Sequence, residues 1–382
     1  MKRRVWLLRF LLLAWLLFSA TILPTAAASE AVGEAEIGGA WSGLGTLLPP
    51  EVSALLPEGF FSSEMEEISL GVGEASTPRA LLSALGKVLG LTLLQSLSLL
   101  SGIAGALVLS ATLRAAVGER KSGAMEATTL VFSLSVVLLL LGRQTYFDEI
   151  ERFFDTVRVL SLSLVPMMGT LYAMGGNVSA AVASEGVMSG FLVLLETACS
   201  GVVVPVAKGL VVLAVADAAA GTASLRGIAS LLRRTFAWGL SFFMMLLCFA
   251  LGAQHTLAQG ADTLAMRTVR FAAGSFLPVV GGSVSESLKT VAGSVAYLRS
   301  VVGTGGVVLV FLLFLPTFLS VLLTRLCFLL CSAMAGMLGL AREERLLSEI
   351  AAVWGYFLAV IACLFTMVFF SLSLLAHTAT AL

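Results

Sequence analysis

Three ionisable residues lie inside one long apolar run of this sequence and are the first candidates for chemistry. Glu196, Lys208 and Asp217 interrupt the run from Val187 to Gly221. A charged side chain costs roughly 2.5–3.5 kcal/mol at the centre of a membrane helix, so a retained charge faces protein or water. These residues therefore predict a polar lining for a pore or substrate path. The alternative is that Lys208 and Asp217 flank a short span and extend to its ends, with Glu196 merely tolerated.

Other candidates for chemistry are sparse. Cys327 and Cys331 share a helix face because they are four residues apart, but neither a histidine nor a second cysteine pair accompanies them, so we expect no metal site. The sequence has no GKS or GKT phosphate loop, no HExxH motif and no GxSxG motif. The nearest approach to an intramembrane serine site, Gly186 to Gly190, has one residue too many. We expect neither enzymatic activity nor a cofactor.

The composition defines the class of protein. Hydrophobic residues make up 58% of the 382 residues, only 12% are charged, and the mean hydropathy is +1.01. Several apolar runs reach the length of about 20 residues that a helix needs to cross a bilayer core. The sequence therefore predicts an all-α polytopic membrane protein with roughly six to eight membrane segments, including re-entrant or broken helices. Because the formal net charge is zero, nothing indicates a nucleic-acid partner.

Two segments precede the predicted membrane domain, which occupies residues 88–382. Residues 1–28 combine a basic start, an apolar run and small residues at the end, which is the pattern of a signal peptide; an uncleaved anchor is the alternative. Residues 29–87 have many more acidic than basic residues, so we place them outside the cytoplasm. Within them, Glu51 to Glu67 predicts a short amphipathic segment that lies on the membrane or on a partner.

Basic residues and breakers predict how the membrane domain is divided. The clusters around Arg120 and Arg233 place their loops in the cytoplasm. The long run that contains Lys208 exceeds one crossing, so it is either two short segments hinged near Gly201 to Gly209 or one span followed by a buried half-helix. Val307 to Leu323 is predicted to be a span that ends at Arg325, with a further apolar portion after it.

The stretch from Phe271 to Gly306 is long, weakly charged and rich in Gly and Ser, although it lies between two apolar blocks. Pro278 removes a backbone donor, and Gly281 and Gly282 admit conformations that other residues avoid. The pattern predicts a break in the fold over residues 271–306, in the form of a bent or re-entrant segment. A Gly-rich extramembrane hairpin is the alternative.

Within this stretch, residues 271–282 read FAAGSFLPVVGG, residues 285–287 read SES, and residues 299–306 read RSVVGTGG. With these motifs, and with the order of signal peptide, acidic segment, first span and C-terminal spans, the chain resembles the stage III sporulation protein AE family. No catalytic residue is assigned in that family. The positions that match its motif are therefore structural candidates only, and they are Pro278, Gly281, Gly282, Gly303 and Gly306.

The resemblance implies a role in endospore formation, at the mother-cell membrane around the forespore. It implies a non-enzymatic membrane component of a channel or secretion-like complex that supports forespore gene expression after engulfment. The implied partners are the other stage III sporulation proteins AA to AH, including a secretion-type ATPase, together with membrane lipid. Many small residues on the spans favour a homo-oligomer. A self-contained secondary transporter, with Glu196, Lys208 and Asp217 as coupling residues, is the alternative function.

Overall fold

The computed structural model describes residues 34–117, 128–129, 131–136, 145–174, 199–220 and 281–378, with scattered positions between 227 and 249. These residues are helical and include no strand, in agreement with the predicted fold class. The signal peptide, residues 118–127 around Arg120, and Arg233 itself lie outside them, whereas residues 231–232 and 234–239 next to Arg233 are helical. The α-helices with described bounds are α1 (Glu34–Gly45), α2 (Pro50–Ser53), α3 (Met65–Ala75), α4 (Pro78–Val117), α5 (Thr145–Met174), α6 (Val204–Ala220), α7 (Gly281–Met337) and α8 (Ala341–Thr378).

The two C-terminal helices form an antiparallel hairpin around which the other helices pack. α7 ends because Gly339 adopts a positive φ of 72°, which costs glycine little. The amide of Leu340 donates to the carbonyl of Ala335 at 2.9 Å, and the amide of Gly339 donates to that of Gly336 at 3.1 Å. This is a Schellman cap, and the buried Leu340 side chain accompanies it. The chain therefore reverses within three residues.

Helices α4, α5 and α6 pack against this hairpin. The Cys327 thiol of α7 donates to the backbone carbonyl of Ser96 in α4 at 3.3 Å. The rings of Phe153 in α5 and Phe314 in α7 meet edge to face, with centroids 4.9 Å apart. α6 packs on α8. Four described helices are long and apolar enough to cross a membrane, over residues Pro78–Ala116, Gly201–Ala218, Ser300–Met337 and Ala341–Thr366.

Helices α1 to α3 form an N-terminal cap, defined here as residues 34–75. Trp41 is fully buried, and its indole Nε1 donates to the carbonyl of Phe60 at 2.6 Å. The rings of Trp41 and Phe60 have centroids 5.7 Å apart. The cap lies on α7 at Gly305, where a Cβ would be 2.9 Å from both Trp41 ring carbons and Val72 Cγ2. The amphipathic segment therefore packs on its own chain, whereas the sequence predicts contact with the membrane or a partner.

The Gly/Ser-rich part of the expected break is helical. α7 begins at Gly281 and continues without interruption through Gly306 to Met337. A glycine costs a helix roughly 1 kcal/mol relative to alanine, and burial between neighbouring helices offsets this amount. Residues 271–280, with Pro278, lie outside the described residues, so an irregular backbone there stays a prediction.

Two predicted boundaries fall inside helices. α7 continues past both Pro316 and Arg325 for another three turns, so Arg325 does not end the helix. Lys87, predicted to be the last residue before the membrane domain, lies within α4, which already begins at Pro78. The end of a span at Arg325 and the domain boundary at Lys87 stay predictions. Proline fits the first turn of a helix because its missing amide has no partner there, so the helix begins at Pro78 and the exposed Lys87 does not interrupt it.

The backbone is irregular where the sequence predicts a hinge. Cys199–Val203 forms a π-helical turn that leads directly into α6. Pro205, the second residue of α6, directly follows this turn, and its missing amide cannot continue the ladder of backbone hydrogen bonds there. The predicted hinge near Gly201 to Gly209 therefore overlaps this turn, although the helix is regular from Val204 onward.

Candidate functional site: a charged layer within the helix bundle

Lys208, one of the three predicted polar residues, forms an ion pair with Glu151, which lies in the mixed-charge segment Arg143 to Arg158 that the sequence predicts to be solvated. Its Nζ lies 2.6 Å from Oε1 of Glu151 in α5, and it lies 5.8 Å from the ring centroid of Phe147. The two charged side chains are 47% and 44% exposed. An exposed pair in water contributes only about 0–1 kcal/mol. The pair therefore joins α5 to α6 without adding much stability.

The ion pair borders a cluster of aromatic and polar side chains in the centre of the bundle. The ring of Phe147 packs on Trp354 of α8, with centroids 5.3 Å apart. Trp354 also lines a small cleft together with Glu149 of α5. The surface of this cleft is mostly apolar, and the other residues that line it are Ile150 of α5 and Thr317, Ser320, Val321 and Thr324 of α7.

Arg325, next to Thr324, is the second cation at this level of the bundle. Its guanidinium lies against α8 at Gly355, where a Cβ would be 3.1 Å from Arg325 Cζ. We refer to Glu149, Glu151, Lys208 and Arg325 together as the charged layer. It brings charged groups of α5, α6 and α7 to one level of the bundle, which the sequence did not predict, because only Lys208 was a candidate.

The structure does not bring Lys208 and Asp217, two of the three candidate coupling residues, together in one site. Lys208 and Asp217 both belong to α6 and are nine residues apart. This separation places them about 180° apart around the helix and about 13 Å apart along it. Asp217 is half-buried on its own face. Glu196 lies outside the described residues, so its role in a polar lining stays a prediction.

Of the predicted glycine positions, Gly303 and Gly306 are buried within α7, and Gly281 and Gly282 form its first turn. A Cβ on Gly306 would lie 3.1 Å and 3.3 Å from the two methyl groups of Leu372, so this glycine lets α8 approach closely. The neighbouring glycine Gly305, which is not one of the candidate positions from the motif, is packed more tightly still, against Trp41 and Val72 of the cap.

A second ion pair, which unlike the first is buried, fixes the turn between α7 and α8. Arg114, at the end of α4, binds Oε1 of Glu343 in the first turn of α8. Glu343 is completely buried, and Arg114 is 14% exposed. Arg114 Nη2 also donates to the Thr129 hydroxyl at 2.8 Å, and the hydroxyls of Thr129 and Ser110 lie 3.3 Å and 3.4 Å from the same carboxylate oxygen. We call this group the hairpin lock.

The hairpin lock was not predicted from the sequence. Arg114 ends the first apolar run and Glu343 lies in a mixed-charge turn, so each residue alone is compatible with a solvated position. They are 229 residues apart, and nothing in the sequence pairs them. The carboxylate also benefits from the positive end of the α8 dipole, and removing one partner of such a buried pair costs about 3–5 kcal/mol.

These contacts are electrostatic and structural. The described residues contain no group of three or more His, Cys, Asp or Glu side chains that could hold a metal ion. Cys327, Cys331 and Cys363 are buried and form no disulfide within the described part of the chain. The fold and its charged groups therefore define an α-helical membrane protein with ion pairs between its helices.

The chain belongs to the stage III sporulation protein AE family, whose model matches residues 61–379. This match includes α3 to α8 and the charged layer. The family is a sporulation component and is not known as a family of enzymes. The stage III sporulation protein AE of Bacillus subtilis (strain 168) is 25% identical over 353 residues, which cover 89% of this chain and 84% of that protein. No solved structure matches the chain.

Proposed function

We propose that this chain is a non-enzymatic membrane component of a channel or secretion-like complex between mother cell and forespore, required for forespore gene expression after engulfment. The observation that carries the proposal is the family match over residues 61–379, which covers all long helices described here. The ion pairs between helices also support it, because they suit a scaffold that holds a polar interior in a membrane.

The proposed partners follow from what the chain contains. The sequence has no phosphate-binding loop, so energy for transport would come from a partner, and we propose a secretion-type ATPase among the stage III sporulation proteins AA to AH. Membrane lipid and further copies of this chain complete the proposed assembly. We place it in the mother-cell membrane that surrounds the forespore, as a multi-pass protein.

The proposal is tested by deleting the gene in its spore-forming host and restoring it with an affinity tag. We expect the deletion to abolish heat-resistant spores and the activity of a late forespore reporter, and the tagged protein to crosslink to companion sporulation proteins. Normal reporter activity in the deletion strain would contradict the proposal. Purification without any crosslinked companion from engulfed cells would contradict the complex.

The alternative, a self-contained secondary transporter, makes a different prediction for Lys208. A coupling residue is essential, so Lys208→Gln would abolish sporulation if the chain were such a transporter. In the proposed scaffold the variant removes one partly exposed ion pair worth about 0–1 kcal/mol, and we expect spore yield close to that of the wild type. Membrane abundance of the variant, measured alongside, separates loss of function from loss of protein.

A further inference from the structure

We propose that Arg325 is the cation of an oxyanion-binding site inside the helix bundle, and that this site takes a phosphate or carboxylate group. The position of Arg325 along α7 is the first reason. α7 continues for twelve residues beyond it to Met337, and the residues that follow Arg325 are mostly apolar. Arg325 is therefore an internal residue of a membrane-type helix and does not mark its end.

The second reason is that Arg325 has no anionic partner among the described residues. Its Nε is buried and makes no hydrogen bond there. The carboxylate of Glu151, in the same charged layer, is already bound by Lys208. A guanidinium away from bulk water is unfavourable unless an anion or water compensates its charge, and the protein nevertheless holds it in place.

The third reason is the space around the guanidinium. Gly355 leaves room for it on α8, because a side-chain carbon there would lie 3.1 Å from Cζ and 3.4 Å from Nε and Nη1. One face of the guanidinium thus rests on α8, while the side chain as a whole is only half-buried. A guanidinium carries paired N–H donors in the fork geometry that phosphate and carboxylate oxygens fit.

The surroundings of Arg325 leave two sources for the oxyanion. Leu326 and Leu329, next to it on α7, are 44% and 42% exposed, so an anionic lipid, whose headgroup phosphate is not neutralised by a choline group, can reach this part of the helix. A diffusible anion can reach the same donors if water enters the bundle. Both sources present the same oxygen chemistry to Arg325, and the experiment distinguishes them.

The experiment measures the thermal unfolding midpoint of the purified full chain in lipid nanodiscs. In the first arm, inorganic phosphate is titrated against chloride at equal ionic strength in phosphatidylcholine discs. In the second arm, phosphate is absent and phosphatidylglycerol replaces phosphatidylcholine. An anion that binds only the folded protein raises the midpoint, and the rise saturates as the site fills. We expect a saturable rise in at least one arm.

Three variants assign the rise to Arg325. Arg325→Gln should remove it, Arg325→Lys should retain part of it, and Arg345→Gln, which neutralises an exposed arginine near the hairpin turn, should leave it unchanged. A rise with phosphate identifies a diffusible anion, and a rise with phosphatidylglycerol identifies a lipid headgroup.

The basal midpoint provides an independent test. Because Arg325→Gln removes an uncompensated charge, we expect its midpoint without anion to equal or exceed that of the wild type. No saturable rise in either arm would overturn the proposal. So would an unchanged rise in Arg325→Gln, or a lower basal midpoint in that variant, since the latter would mean that the guanidinium is already compensated within the chain.

Discussion

The contact between the N-terminal cap and α7 allows a substitution of a single methyl group to be evaluated from the structure. In Gly305→Ala, the new Cβ would lie 2.9 Å from Trp41 Cη2 and Cζ2 and from Val72 Cγ2, which is too close for carbon atoms. Trp41 has no free space because it is fully buried and its indole is held by a hydrogen bond. Overpacking of this kind costs about 1–3 kcal/mol.

The cost falls on the docked state of the cap alone. Alanine improves the helix propensity of α7 whether the cap is docked or not, so that gain cancels in the equilibrium between the two states. At 1.4 kcal/mol per factor of ten, a loss of 1–3 kcal/mol raises the population of the undocked cap about 5- to 150-fold. Amide hydrogen exchange in α1, residues Glu34–Gly45, should accelerate by the same factor.

The matched control is Gly105→Ala in α4, because a Cβ there meets nothing within 4 Å. Exchange in α1 should not change in that variant. Trp41→Phe removes the two ring carbons that the new methyl group would strike, so we expect the double variant to lose less than the sum of the single variants. If Gly305→Ala and Gly105→Ala give equal exchange in α1, the cap does not dock on α7 as described.

Three further predictions concern other parts of the chain. Arg114→Gln should destabilise the protein by about 3–5 kcal/mol and lower its unfolding midpoint, because it leaves Glu343 buried without a counter-charge. Adding Glu343→Gln should recover part of this loss. If the Arg114→Gln protein were as stable as the wild type, the hairpin lock would be refuted. Glu196→Leu should reduce spore yield at normal membrane abundance, whereas full sporulation would make Glu196 a tolerated residue. Gly281→Val should impair sporulation more than Ser283→Ala at equal abundance, and the reverse ranking would make the start of α7 a simple connector.

The sequence predicts the helical class well because the class depends on composition and on the length of apolar runs. It predicts individual residues less well, because their roles depend on partners that are distant in the chain. Lys208 was singled out as a charge in an apolar run, but its partner Glu151 belongs to a segment that reads as solvated. Arg114 and Glu343 illustrate the same point. The sequence around each residue would look the same whether the two side chains formed a buried ion pair or were exposed separately.

The expected break over residues 281–306 shows a different reason why the sequence-based prediction and the structure disagree. Gly and Ser disfavour a helix locally, and over residues 281–306 this preference predicts irregular backbone. In the structure, two of those glycines face neighbouring elements of the chain. Trp41 packs against Gly305, and Leu372 packs against Gly306. The glycines that would weaken an isolated α7 helix are therefore the residues that allow α7 to pack closely on its neighbours. Local propensity cannot reveal this, because the partners come from α1 and α8.

The part of α7 between the cap and the turn to α8 predicts the sidedness of the protein. The cap docks at Gly305, and α7 extends about 48 Å from there to its end at Met337, more than the 40–45 Å of a bilayer with its headgroups. We therefore predict that the cap and the hairpin lock belong to opposite surfaces. α8 returns to the surface of the cap, because Leu372 contacts Gly306.

We predict that cysteines introduced at Ser53 in the cap and at Thr378 at the end of α8 react alike with an impermeant reagent on intact cells, while Ser122→Cys does not react. Opposite labelling of the first two positions would mean that α7 and α8 do not cross the membrane as a hairpin.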